Sequence, residues 1–261
     1  MTFGTCIIDE TDLDPDVVVT DPTPPPPEPP RTDFPPMFED FFSRSQYDGY
    51  LGIADTGQQY QNLSVDNAVL VADYTSRFAD GAHGVVDASA LPYLSSTYRW
   101  IWASLNRDFT PVMPDTIRMR VRFPSWGALS QWHMGVGVNP LGPLSGAGFP
   151  NGPYTTMGMR IIAGVMTVYA PMMGTGTETY GYGAVEGAEG PPILINAATW
   201  YWVEVKMTTT RGELRIWADG SARPVDAYWD ESSVPMAWTP TWWWLDAWGG
   251  WRVEIDYLTI Y

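Results

Sequence analysis

Two carboxylates, Glu254 and Asp256, stand one residue apart in the run Glu254-Ile255-Asp256-Tyr257-Leu258-Thr259-Ile260. Alternate residues of a β-strand point to one face, so the pair projects together if this run is a strand. Paired carboxylates are the groups that cleave glycosidic bonds, one attacking or activating water while the other handles the proton. The same spacing also arises on any solvated strand face. Other chemistry-bearing types are thinly spread. His83 and His133 are the only histidines and neither has a companion at ligand spacing, so no metal site is expected. No nucleophile elbow surrounds a serine, and the glycines around Gly181-Tyr182-Gly183 follow no strand-to-helix pattern that would cradle phosphate. Cys6 is the one cysteine, which excludes an internal disulfide; it lies in an apolar island with nothing to lower its pKa, so it is expected to anchor and not to react. No cofactor is expected.

The tryptophans are the remaining candidate. Ten of the fourteen fall between Trp200 and Trp251, a concentration that calls for either a core or a binding surface. Indoles stack on the apolar C–H faces of sugars, and they also fill cores and subunit interfaces. Trp242, Trp243 and Trp244 are consecutive, and strand neighbours point to opposite faces. Either Trp243 or the pair Trp242 and Trp244 must therefore face away from the main core. Together with Trp248 and Trp251 they are the expected glycan-binding or interface residues.

The elements that must position these groups read as strands. Asp115 to Phe123 alternates cleanly, with Ile117, Met119, Val121 and Phe123 on one face and Arg118, Arg120 and Arg122 on the other. Three arginines on one face predict a solvated outer surface paired with acids on neighbouring strands. Further strands are expected at Tyr98 to Ser104, Gln131 to Val138, Met157 to Ala163 and Val165 to Ala170, and at Trp200 to Thr208, Glu213 to Ala218, Trp242 to Ala247 and Arg252 to Tyr261. Turns fall at Gly164, Arg211-Gly212 and Asp219-Gly220, and long Gly/Pro-rich loops at Asn139 to Pro153 and Gly174 to Pro192. No stretch carries a helical period. Many short strands with turn signals between them predict an all-β sandwich or jelly roll.

Ahead of this domain lies a segment of different composition. In Asp21-Pro22-Thr23-Pro24-Pro25-Pro26-Pro27-Glu28-Pro29-Pro30 seven of ten residues are proline, a density that no helix or central strand survives. Residues 1–37 are therefore expected to form an extended acidic arm, and residues 38–261 one β-sandwich domain. The arm carries −7 of the chain's net −16 charge. Its two apolar islands supply the expected docking anchors, Phe3, Ile7 and Ile8 in one and Val17, Val18 and Val19 in the other. A β-prone run such as Val17 to Val19 can add itself to a partner's sheet edge. So acidic a chain, with Lys206 as its single lysine, is ill suited to gripping nucleic acid or anionic lipid. No apolar run is long enough to span a membrane, and the start lacks the basic and apolar regions of a secretory signal.

Two segments resemble known families. Phe38-Glu39-Asp40-Phe41-Phe42-Ser43-Arg44 followed by Leu51-Gly52-Ile53-Ala54-Asp55-Thr56-Gly57-Gln58-Gln59-Tyr60 resembles the opening of β-sandwich domains in bacteriophage tail and virion proteins, where an Asp-Phe-x-Arg-like strand precedes a Gly-x-Ala-Asp-Thr-Gly turn and an aromatic. Asp40, Phe41 and Arg44 follow the first part with one residue inserted. Tyr60 stands where tryptophan is common. At the other end, Trp200 to Thr208, Arg211 to Gly220 and Val253 to Ile260 are similar to the closing strands of concanavalin A-like, laminin-G-like jelly rolls. Laminarinase-type glycoside hydrolases share that fold and carry Glu-x-Asp-x-Glu or, with a bulge, Glu-x-Asp-x-x-Glu on one strand. Glu254 and Asp256 match the first two positions, but the third falls on Leu258 or Thr259, neither a carboxylate.

The resemblances imply a concanavalin A-like jelly roll behind a proline-rich arm, in a virion component such as a tail fibre, minor tail protein or head decoration. The expected partners are other virion proteins through the arm, further copies of the chain in a homo-oligomer, and a host surface glycan; nucleic acid and membrane insertion are not expected. The protein would be made in the host cytoplasm and reside in the virion. Without the third carboxylate no catalytic residue is assigned, and the expectation is that the chain is not an enzyme.

Overall fold

A computed structural model describes residues 36, 38–46, 51–66, 69–70, 77–90, 98–105, 116–126, 129–137, 153–162, 165–175, 193–207, 212–226, 229–231, 241–248 and 250–261. Among them there is no helix. The strands are β1 (Phe38–Asp40), β2 (Ser45–Gln46), β3 (Gln61–Asp66), β4 (Val69–Leu70), β5 (Arg77–Asp80), β6 (Gly84–Asp87), β7 (Tyr98–Ser104), β8 (Thr116–Ser125), β9 (Leu129–Gly137), β10 (Pro153–Ile162), β11 (Val165–Thr175), β12 (Ile193–Leu194), β13 (Trp200–Met207), β14 (Gly212–Ala218), β15 (Trp229–Glu231), β16 (Trp242–Trp248) and β17 (Arg252–Ile260). Every strand expected from alternation is present, with ends shifted by a few residues. The strands β2, β4 to β6, β12 and β15, of two to four residues, are too short for a clear period and were not expected from the sequence; six-residue β3 was missed as well, while β1 lies within the opening segment whose resemblance implies a strand.

The strands form two antiparallel sheets. One runs β15-β14-β13-β8-β17-β6-β5-β2, with β1 paired to β17 as well; the other runs β12-β11-β10-β9-β16-β7-β3-β4. The core lies between their inner faces. The first sheet contributes Ile117, Met119, Val121 and Phe123 from β8, Val203 and Val205 from β13, and Val253, Ile255, Leu258 and Ile260 from β17. The second contributes Ile101, Ala103, Met134, Trp243, Leu245 and Ala247. Burying an aliphatic or aromatic side chain of this size stabilises the fold by roughly 1.5–3 kcal/mol, so the alternation alone accounts for the layering. Trp243 is the largest inward group of β16, edge-on to Phe38 at 5.0 Å and to Tyr60 at 6.0 Å.

Strand β17 breaks its own alternation. Its pairing with β8 shifts between Ile255 and Tyr257, so Asp256 and Tyr257 occupy the outer face together while Ile255 and Leu258 both reach the core. This is a β-bulge, which inserts one residue and re-aims its neighbours.

Residues 38–60 build a locked corner. Asp40 is fully buried and receives both amino nitrogens of Arg44, at 2.6 and 2.7 Å, together with the backbone N–H of Phe42 at 2.9 Å. Arg44 also donates through Nε to the Leu51 carbonyl at 2.7 Å, and its guanidinium lies over the rings of Phe42 and Tyr60. Burial and the Asp40 carboxylate push the Tyr60 phenol well above its ordinary pKa. The Ala54 to Gln58 turn closes on itself, with Gly57 at φ 93°, and the Asp55 carboxylate accepts the Phe41 N–H at 2.7 Å. The residues that carry the resemblance at this end are thus the framework of the first turn of the domain.

Candidate functional site

The outward face of the nine-stranded sheet holds nearly all the chemistry the structure describes. Because β8 turns its apolar residues inward, Arg118, Arg120 and Arg122 must face out, and each meets an acid on an adjoining element. Arg118 donates to Glu204 at 3.0 and 2.7 Å from Nε and Nη2. Arg122 donates to Glu254 at 2.9 and 2.5 Å. Arg120 bridges two acids, Asp219 at 2.6 Å and Asp256. Arg252 joins Glu254 at 3.0 Å to Asp87 at 3.2 Å, while Arg215 binds Glu213 at 2.7 Å. Arg223, after β14, closes on Glu204 as well.

Cross-strand charge pairing was expected, but a solvated face was not the outcome. Glu204 is 2 % exposed and Arg120 is 8 % exposed. Buried charges are tolerated only when paired and hydrogen-bonded, and each has at least two bonds here. Burial alone would raise the Glu204 carboxyl, yet the guanidinia of Arg223 and Arg118 outweigh it and hold the group below the carboxylate range. Asp256 goes the other way. Burial raises its carboxyl, Arg120 pulls it back only in part, and the nearby Asp219 charge adds to the rise. Its Oδ1 is buried with no hydrogen-bond partner among the described residues.

What covers Arg120 is aromatic. Trp202 on β13 sits directly opposite Trp217 on β14, their rings stacked at 6.3 Å and 17°. Tyr257 meets Trp202 edge-on at 6.0 Å from the far side of β8, and Phe41 follows Tyr257 at 5.0 Å. The four rings form a row across the strands. Trp202 donates its Nε1 hydrogen to Asp219 at 2.8 Å, and Tyr257 donates its hydroxyl hydrogen to Glu39 at 3.2 Å. Trp202 and Trp217 are half-buried, Tyr257 is 6 % exposed and Phe41 is 44 % exposed. A second aromatic, Trp200, lies under the guanidinia of Arg120 and Arg122 at 4.9 and 4.8 Å and stacks on His83 at 5.2 Å.

The structure distributes the expected site residues unevenly. Glu254 and Asp256 do share the outward face, with Thr259 at the third position of the bulged spacing. Glu254 is tied to two arginines. Of the tryptophan group, Trp243 and Trp251 belong to the core. Trp242 and Trp244 point away from it as alternation requires, but they pack on each other at 4.9 Å and are 1 % and 0 % exposed. All four indoles are occupied in packing within the chain. The arm anchors Phe3, Ile7, Ile8, Val17, Val18 and Val19, the two long loops except at their strand-forming ends, and the side chains of Trp248 and His133 lie outside the described residues. Among described residues no group of His, Cys, Asp and Glu could hold a metal ion.

Sequence reasoning missed Trp202, Trp217, Tyr257 and Asp219 as a group. A signal for two of them was available. Trp202 and Trp217 are paired in a register centred between residues 209 and 210, whereas the turn expected at Arg211-Gly212 would have paired Trp202 elsewhere; their outward alternation on adjacent strands was the available signal. Tyr257 was hidden by the bulge, and Asp219 had been read as turn chemistry only.

No protein-family model and no curated protein matches the chain. Solved structures do. The exoplasmic/lumenal domain of VIP36 in its Ca2+/Man2-bound form aligns with a TM-score of 0.50 at 11% identity, covering 84% of this chain and 87% of that one. SCLam, a non-specific endo-β-1,3(4)-glucanase of family GH16, aligns with a TM-score of 0.50 at 11% identity, covering 88% of this chain and 91% of that one. These likenesses establish a concanavalin A-like jelly-roll fold, shared by lectin-like domains and GH16 enzymes. They also correct the expectation that the chain is not an enzyme. A missing carboxylate on one strand was the ground for that expectation, and the fold so established is one in which glucanases occur.

Proposed function

We propose that this protein is a bacteriophage virion component whose lectin-like β-sandwich binds a host-surface glycan on the aromatic row of the nine-stranded sheet. The carrying observation is that row: Trp217, Trp202, Tyr257 and Phe41 at successive spacings of 6.3, 6.0 and 5.0 Å, with Trp217, Trp202 and Phe41 partly or fully open to solvent and Tyr257 buried between them. Rings with one face free and the other packed are what stacking on sugars requires, and a binding site on a rigid sheet loses little entropy on association. The virion reading is supported by the opening segment, whose resemblance covers residues 38–60. In this reading residues 1–37 dock the chain to another virion protein, copies assemble as a homo-oligomer, and the mature location is the virion as a tail fibre, minor tail or head-decoration subunit. Two measurements test it. A glycan array should show binding by the wild type and loss of binding in Trp202→Ala; a blank array for the folded wild type refutes glycan binding. Deleting residues 1–37 should leave the sandwich folded and abolish incorporation into particles, and retained incorporation refutes the docking role.

A second reading, hydrolysis on the same face, is favoured by Asp256. Its carboxyl is held above the ordinary range, and it shares the Arg120 guanidinium with a second carboxylate, Asp219. A carboxyl with a raised pKa beside a second acid is the kind of group that gives a proton to a glycosidic oxygen. Release of reducing ends from a polysaccharide bound by the array, lost in Asp256→Asn, would establish it. Binding without release would refute it.

A further inference from the structure

We infer that the ligand of the aromatic row is an uncharged glycan chain several units long, lying across the strands. This rests on the glycan-binding reading above and names the class of glycan. The first argument is charge. Every arginine described on this face already has a carboxylate partner: Arg118 and Arg223 have Glu204, Arg120 has Asp219 and Asp256, Arg122 and Arg252 have Glu254, and Arg215 has Glu213. A sulfate or carboxylate on a sugar would have to compete with one of these buried or half-buried acids for its cation. It would also approach a chain of net charge −16, which repels anions at long range. Recognition of an anionic glycan would call for unspent arginines around the rings, and the paired network offers none among those described.

The second argument is direction. The four rings come from β14, β13, β17 and the residue after β1, so the row crosses the strands and does not follow one. Trp202 and Tyr257 flank Arg120 in the register and meet edge-on at 6.0 Å, which links the open Trp202 to Phe41 through a buried ring. Each of the three open rings, Trp217, Trp202 and Phe41, can take one sugar, so a chain that spans them gains contacts that a single sugar cannot. The polar groups beside the row, the Glu39 and Asp219 carboxylates, are acceptors suited to sugar hydroxyls and unsuited to anions.

The experiment is titration of the full chain, followed by tryptophan fluorescence, with neutral gluco-oligosaccharides of one to six units in both anomeric series and with oligouronates and sulfated oligosaccharides of the same lengths. The expected result is at least tenfold tighter binding of neutral tetramers than of monomers, little change between low and high salt, and no tighter binding of the acidic series. The exposed Phe41→Ala variant should weaken the longer oligosaccharides several-fold more than it weakens dimers, and its fold can be verified by circular dichroism. Tighter, salt-sensitive binding of the acidic series would overturn the inference while leaving glycan binding intact. Equal affinity for monomer and tetramer would overturn the extended-chain part. Binding of neither series would refute the glycan reading itself, and the inference with it.

Discussion

Replacing Asp40 with alanine should be among the most destabilising single changes in the domain. Asp40 has no solvent exposure and carries three hydrogen bonds: two from Arg44, at 2.6 and 2.7 Å, and one from the Phe42 N–H. Removing one member of a buried ion pair costs about 3–5 kcal/mol, because the remaining charge is left uncompensated. Arg44 keeps a side-chain exposure of 24%, which relieves part of that penalty and points to the lower end, about 3 kcal/mol. The orphaned Phe42 N–H adds about 1 kcal/mol. For a domain of this size each kcal/mol lowers the melting temperature by roughly 2–4 °C, so a fall of roughly 8–16 °C is expected. Urea denaturation should show the same loss as a shifted midpoint with an unchanged slope. The double variant Asp40→Ala/Arg44→Met removes the stranded charge and should be less destabilised than the sum of the two single variants. A cost below about 1 kcal/mol for Asp40→Ala, or strict additivity in the double variant, would refute the claim that this corner is held by a buried pair.

Other outcomes follow from the same geometry. Gly84→Ala places a Cβ 2.4 Å from two carbons of the fully buried Phe42 ring, so overpacking should cost about 1–3 kcal/mol in urea denaturation, and a neutral result would mean that the ring moves freely. Asp256 binds its proton more tightly when folded, so its contribution favours the fold at low pH and is lost as pH rises from about 3.8 through the raised value. Asp256→Asn should therefore gain stability relative to the wild type as pH rises through that window, whatever its offset from losing an Arg120 bond; a parallel pH profile would contradict this. Glu204 has the opposite sign, stabilising above its ordinary 4.5 and losing that contribution as pH falls, so Glu204→Gln should flatten the acid limb of the stability profile.

The sequence made the layers legible because period-two alternation is a local property. In β8 the inward set Ile117, Met119, Val121 and Phe123 and the outward arginines can be read without knowing any neighbour. The exposure of that outward face was not legible, since it depends on what other strands bring to it. Trp202 and Tyr257 flank Arg120 from β13 and β17, strands that are far apart in the chain from each other and from β8. The three consecutive tryptophans show the same limit from the other side. Alternation correctly sends Trp243 one way and Trp242 with Trp244 the other, but a direction says nothing of whether a second layer waits there.

The two readings of the opening segment and of the sheet face are physically joined. Asp55, in the Ala54 to Gln58 turn, accepts the Phe41 N–H at 2.7 Å, and the Thr56 hydroxyl accepts the Glu39 N–H at 3.0 Å. Glu39 in turn receives the Tyr257 hydroxyl, and Phe41 is the exposed end of the aromatic row. The turn is therefore a support for the row and not only a fold signature. Its replacement by a generic loop would leave β1 paired to β17 through Phe38 and Ile260 while freeing Phe41 to rotate. A site built this way keeps its inner rings on rigid strands and hangs its outermost ring on a turn. The length of chain that the face can hold is then governed by Asp55 and Thr56, which touch no ligand in this reading and act only through the residues they position.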